Sequence, residues 1–126
     1  MFNMKKTLSF ALTLVLAMGA VFAFASGVSY AQDDEYDILI MPKLEGIPYF
    51  NNCEKGANQA GKDLGVNVIY AGPSKVDAAA QIKMIEDYLN KGIDALAVAP
   101  NDPAALSPVL KKAQEQGVVV MDWDTP

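Results

Sequence analysis

Three times along this chain a glycine is followed at once by an apolar residue and then by a short apolar run: Gly65-Val66, Gly92-Ile93 and Gly117-Val118. The glycines lie 27 and 25 residues apart. Glycine is the residue a helix end takes when the next backbone unit turns left-handed. That spacing leaves room for one strand, one turn and one helix. Alternating units of this kind give a parallel sheet with helices on both faces, because parallel neighbours are joined by crossovers. The expected fold is therefore α/β, in three layers, with the parallel sheet in flavodoxin-like order.

The elements follow from the same pattern. Asp37 to Met41 reads as the first strand, since Ile38-Leu39-Ile40-Met41 is a continuous apolar run that suits burial on both faces. Pro42 ends it, because proline cannot donate to a ladder. Tyr49 to Leu64 reads as the first helix, with Phe50, Cys53, Ala57, Ala60 and Leu64 on one face. Strand two is expected over Asn67 to Ala71, and Gly72-Pro73 is a turn. Ser74, with Asp77 three residues on, resembles a capping box with aspartate in place of the usual glutamate or glutamine. The second helix then runs to Lys91 and buries Ala78, Ile82, Ile85 and Leu89. Strand three is expected over Ala95 to Ala99, and Asp102-Pro103 reads as an N-cap with proline at the first helical position. The third helix turns Leu106, Val109, Leu110 and Ala113 inward, and Val118 to Asp122 forms strand four.

The start of the chain has a different character. Lys5 and Lys6 precede an apolar run from Leu8 to Val28, and Ser29-Tyr30-Ala31 places small residues where a signal peptidase reads. Residues 1–31 therefore read as a secretory signal peptide, with export to the periplasm and a mature chain of 32–126. A retained membrane anchor is the alternative, because the run is long for a signal sequence. The mature part holds 8 lysines and 15 carboxylates, a net charge of −7, with no arginine or histidine. That balance argues against nucleic acid as a partner, which needs basic patches. Lack of histidine excludes His-based triads and the common zinc sites, and no metal or cofactor is expected. Cys53 is the only cysteine, so no intramolecular disulfide can form. On an apolar helix face it reads as a core thiol.

In a parallel sheet every strand's carboxyl end meets the same edge, and open α/β sheets bind ligands there. That edge would present Lys43, Tyr49 and Phe50 after strand one, Asn101 and Asp102 after strand three, and Asp122, Trp123 and Asp124 after strand four. Ammonium, amide and carboxylate groups hydrogen-bond hydroxyls, while aromatic faces cover the C–H surface of a ring. The mixture suits a polyhydroxylated ligand held by Lys43, Tyr49, Phe50, Asn101, Trp123 and Asp124. Asp102 reads first as a cap, and Asn101 equally as a turn residue. Asp122 alternates with Trp123 and points elsewhere in an extended strand. There is no G-x-G-x-x-G after strand one and no phosphate-loop lysine, which disfavours a nucleotide.

Four stretches resemble the periplasmic sugar-binding proteins of ABC importers: 40–50 (Ile-Met-Pro-Lys-Leu-Glu-Gly-Ile-Pro-Tyr-Phe), 70–74 (Tyr-Ala-Gly-Pro-Ser), 95–106 (Ala-Leu-Ala-Val-Ala-Pro-Asn-Asp-Pro-Ala-Ala-Leu) and 120–124 (Val-Met-Asp-Trp-Asp). The ribose-binding type is the broad match. The Pro-Lys-Leu and Trp-Asp pieces are most similar to the branch with rhamnose-binding proteins and the autoinducer-2 receptor LsrB. The resemblance implies a type I, two-lobed protein that closes on a pentose, rhamnose or sugar-like furanose and delivers it to a membrane permease. It implies that Lys43 and Asp124 contact ligand oxygens and that the aromatics after Lys43 stack on a ring. It also implies a second lobe beyond this stretch, so 32–126 is expected to be an incomplete N-terminal lobe that binds sugar poorly alone. No catalytic residue is expected. Two other functions fit the residues less well: the effector domain of a sugar-responsive regulator, which shares the fold, and a secreted glycoside hydrolase using Asp122 or Asp124.

Overall fold

The computed structural model describes residues 35–124, so the expected signal peptide lies outside the described residues. Four strands alternate with three helices: β1 (Asp37–Met41), α1 (Pro48–Leu64), β2 (Asn67–Tyr70), α2 (Ala78–Lys91), β3 (Ala95–Val98), α3 (Pro103–Glu115) and β4 (Val119–Asp122). The strands form one sheet in the order β2-β1-β3-β4. Every pairing is parallel, with Leu39 beside both Ile69 and Leu96, and Ala97 beside Met121. This is the expected α/β, flavodoxin-like arrangement.

Handedness assigns the helices to faces. The step from β1 to β2 runs one way across the sheet, while β2 to β3 and β3 to β4 run the other way. Right-handed crossovers therefore put α1 on one face and α2 with α3 on the opposite one. The side chains agree. Leu39, Met41, Leu96 and Val98 join Ile85 and Leu89 of α2 and Leu106, Val109 and Ala113 of α3 in one buried cluster. On the other face Cys53 of α1 lies with Ile40 and Ala97. These alternate residues face opposite ways because the strand period is two.

The helix boundaries have local causes. Pro48 opens α1, where its missing N–H leaves no helical bond unmade. Gly65 and Gly92 close α1 and α2 at φ 67° and 87°. Asp102 caps α3 by accepting from the Ala105 N–H at 3.0 Å, as its place before Pro103 implied. The third helix ends in a left-handed glycine as expected: Gly117, at φ 86° and one residue past the Gln116 C-cap, donates its N–H to Gln114 O at 3.0 Å. Two expectations need correction. Asp77, not Ser74, is the N-cap of α2, and its carboxylate accepts from Ala80 N–H at 2.9 Å. The short aspartate reaches its own helix's donors, so the segment 74–76 stays outside the helix. Second, α1 faces the sheet through Phe50, Cys53, Ala57 and Gly61, leaving Ala60 and Leu64 exposed. Gly61 sits so close to β2 that a Cβ there would lie 2.7 Å from Val68 Cγ2.

Candidate functional site

At the carboxyl edge of the sheet the loops after β1, β2 and β3 are bound to one another. Backbone Glu45 N–H donates to Pro73 O at 2.9 Å, and the Glu45 carboxylate accepts from Gly72 N–H at 2.8 Å. Gly72 has no room for a side chain, since a Cβ would lie 2.7 Å from Pro42 Cγ. Gln81 of α2 bonds both Pro42 O and Ala99 O. Asn101 Nδ2 donates to Lys43 O at 2.9 Å. The loop carrying Lys43 is thus fastened to both neighbouring strand ends.

The six residues expected at this edge form one cluster. Lys43 Nζ lies 3.3 Å from Asp124 Oδ2, with side chains 24% and 20% exposed. The other oxygen, Asp124 Oδ1, accepts from the Tyr49 hydroxyl at 3.0 Å. The bond to Asp124 and its negative charge raise the Tyr49 pKa above the ordinary tyrosine value. Phe50 stands edge-to-face between two rings, 4.9 Å from Tyr49 and 5.7 Å from Trp123 by centroid. Its backbone carbonyl accepts from the Tyr70 hydroxyl at 2.9 Å. Trp123 is held by its backbone N–H, which donates to Val98 O at 3.1 Å. Two buried atoms of the cluster, Asn101 Oδ1 and Trp123 Nε1, have no hydrogen-bond partner among the described residues.

Chemically, the edge combines a carboxylate, an ammonium, an amide oxygen and an indole N–H beside an aromatic wall. An ionised carboxylate has about four acceptor positions, and the bonds above engage one on each Asp124 oxygen. Asp122 is exposed on β4 and takes no part in these bonds. Cys53 is half-buried and lines a cavity of about 340 Å³ with Ile40, Ala97, Met121 and Trp123. Among the described residues no cluster of histidine, cysteine, aspartate or glutamate could hold a metal ion.

Residues 38–126 match the profile of the periplasmic binding protein domain. The chain belongs to this family of periplasmic binding proteins. The D-ribose/D-allose-binding protein of Pseudomonas aeruginosa is 31% identical over 114 residues, which are 88% of this chain and 36% of that protein. Among solved structures, LsrB from Clostridium saccharobutylicum in complex with AI-2 superposes with a TM-score of 0.70 at 31% identity, covering 71% of this chain and 28% of that one. An ABC transporter solute-binding protein from Clostridium phytofermentas with bound L-rhamnose gives 0.69 at 31%, covering 72% and 28%. This periplasmic binding protein chain thus spans about a third to two fifths of the length of the first curated relatives it matches. Its fold is that of the type I proteins, as a partial domain, and the relatives are sugar-binding transport proteins, not enzymes.

One participant escaped the sequence reading. Gln81 is fully buried, although a glutamine in a helix normally reads as exposed. The signal was there: Gln81, Ile85 and Leu89 are spaced by four, so Gln81 continues a buried row.

Proposed function

We propose that this chain is the sugar-capturing part of an ABC importer. It holds a small sugar, a pentose, rhamnose or autoinducer-2, against Lys43, Tyr49, Phe50, Asn101, Trp123 and Asp124 and presents it to a membrane permease. The observation that carries the reading is the convergence of a Lys43–Asp124–Tyr49 polar group with the Phe50–Trp123 aromatic pair at the carboxyl edge. Asp124 accepts ligand hydroxyls through its remaining lone pairs, while Asn101 and Trp123 bring two buried, unpartnered polar atoms, Oδ1 and Nε1, to the same edge. The aromatic wall covers the C–H face of the sugar. The names of the relatives, which include ribose, allose, L-rhamnose and AI-2, support a sugar or sugar-like furanose as the ligand.

Export accompanies this role. The first 31 residues are removed, and the mature protein works in the periplasm. Mass spectrometry of the exported protein is expected to find Gln32 at its start, and an intact Met1 in the membrane fraction overturns export by cleavage. The function itself is tested by calorimetry on the full-length protein, meaning this stretch together with the second lobe that the family resemblance implies, with D-ribose, D-allose, L-rhamnose and autoinducer-2. Saturable micromolar or tighter binding of at least one is expected. Binding of none, or turnover of a glycoside, overturns the reading.

A further inference from the structure

We infer that Gln81 is the positioning residue of this site: its buried carboxamide sets the β1 and β3 strand-end loops at one relative position and so fixes where Lys43 and Asn101 stand. The inference rests on the proposed sugar-binding role of the edge. Gln81 is 0% exposed. Its Nε2 donates to Ala99 O at 2.9 Å and to Pro42 O at 3.2 Å, and its Oε1 accepts from the Asn101 N–H at 2.8 Å.

The location explains the choice of residue. The β1–β3 ladder makes a last rung at Ala99 N–H to Met41 O, 2.8 Å. Pro42 follows and has no N–H, so the backbone cannot carry the pairing further. Beyond that point two carbonyls and one N–H need partners, and a carboxamide supplies two donors and an acceptor in one planar group. Only one orientation of the amide satisfies all three. Glutamate lacks the donors, methionine lacks donors and acceptor, and asparagine is one methylene shorter. Lys43 follows Pro42 directly, and Asn101 Nδ2 returns a bond to Lys43 O. The bridge from Gln81 therefore reaches both ligand-facing groups by short covalent or hydrogen-bonded steps.

The test uses Gln81→Met in the full-length protein, with Ile85→Val as a packing control in the same buried row. Two readouts are taken: calorimetric affinity for D-ribose and L-rhamnose, and hydrogen exchange of backbone amides. Gln81→Met is expected to speed Asn101 exchange about tenfold or more relative to Leu96 and Val98, and to weaken sugar binding about tenfold or more. Ile85→Val is expected to change neither ratio. Unaltered Asn101 exchange, or affinity kept within about twofold, overturns the inference. If the parent protein binds no sugar while Asn101 exchange accelerates, the sugar reading fails and the bridge between the loops stands. Where Gln81→Met does not fold, Gln81→Glu keeps the acceptor for Asn101 and removes both donors. Its affinity is then expected to rise as the pH falls and the buried carboxyl gains a proton, relative to the parent protein. A pH profile parallel to the parent's overturns the inference.

Discussion

Asp124 is the residue on which the edge turns. It has a positive φ of 74°, alone among the described non-glycine residues. Aspartate and asparagine enter that region more readily than other L-residues, and strained backbone collects at binding sites. Asp124→Asn therefore separates charge from conformation. In the full-length protein it is expected to leave the melting temperature nearly unchanged and to weaken sugar binding about tenfold or more, since charge-assisted bonds are worth roughly 1.5–3 kcal/mol. Unchanged affinity by calorimetry would remove the carboxylate from the site. Tyr70 gives a second test at this scale. Burial, followed by nearby Cys53, Glu54 and Glu45, pushes its pKa from 10.0 up to about 12. The unfolded chain loses this proton near 10 and the folded chain near 12, so the contribution is complete below pH 10 and lost as the pH rises to about 12. The stability difference between the parent and Tyr70→Phe is expected to be flat below pH 10 and to shrink between 10 and about 12. Urea midpoints of both proteins across that range check it, and a flat difference throughout refutes it.

Among the elements, α2 does the most to shape the site, because it caps its own start with Asp77 and sends Gln81 to the strand ends. Asp77→Ala is expected to cost about 1 kcal/mol, whereas Ser74→Ala stays within about 0.5 kcal/mol. Denaturant melts of the two variants check this, and equal losses would return the cap to Ser74. The contrast also shows what sequence can disclose. The strands and helices were legible to within a residue or two, apart from the start of α2, which lies three residues beyond the expected cap, because apolar runs flanked by Gly65, Gly92 and Gly117 admit few other readings. The six residues of the edge were legible because a parallel sheet brings all its carboxyl ends together, whatever the details of packing. What stayed hidden depended on contacts between distant segments. The row on α1 drifts from Cys53 and Ala57 to Gly61 because the backbone approaches Val68, which periodicity alone does not register. Gln81 was hidden because its partners are backbone atoms of Pro42, Ala99 and Asn101, up to 39 residues away in sequence. Ser74 read as the cap with Asp77 as its partner three residues on, and only the bond from Ala80 N–H makes Asp77 the cap.

At the scale of the whole molecule, the faces of the sheet are unequally covered. The crossovers from β2 to β3 and from β3 to β4 put their helices on the Leu39–Leu96 face, and α1 on the opposite face packs mainly against β2. Over β3 and β4 that face is open among the described residues, with Val119 69% and Met121 58% exposed beside the cavity at Ile40, Cys53 and Ala97. The same strand, β4, pairs with β3 alone among the described residues. An apolar strand with one bare edge and one bare face is a template for pairing with another copy. The segment 32–126 made by itself is therefore expected to self-associate, and to bind sugar weakly. A closed pocket buries about 70–90% of a small ligand, and a single sheet edge leaves much of it in water, where each protein bond only replaces one to solvent. Charges at the bare face should suppress association without touching the Leu39–Leu96 cluster. Light scattering is expected to show oligomers for the segment and a monomer for Val119→Lys/Met121→Lys, with similar circular dichroism. The expectation fails if the unaltered segment is monomeric at about 100 µM or if the lysines leave its oligomers intact, because exposure of β4 then does not govern association.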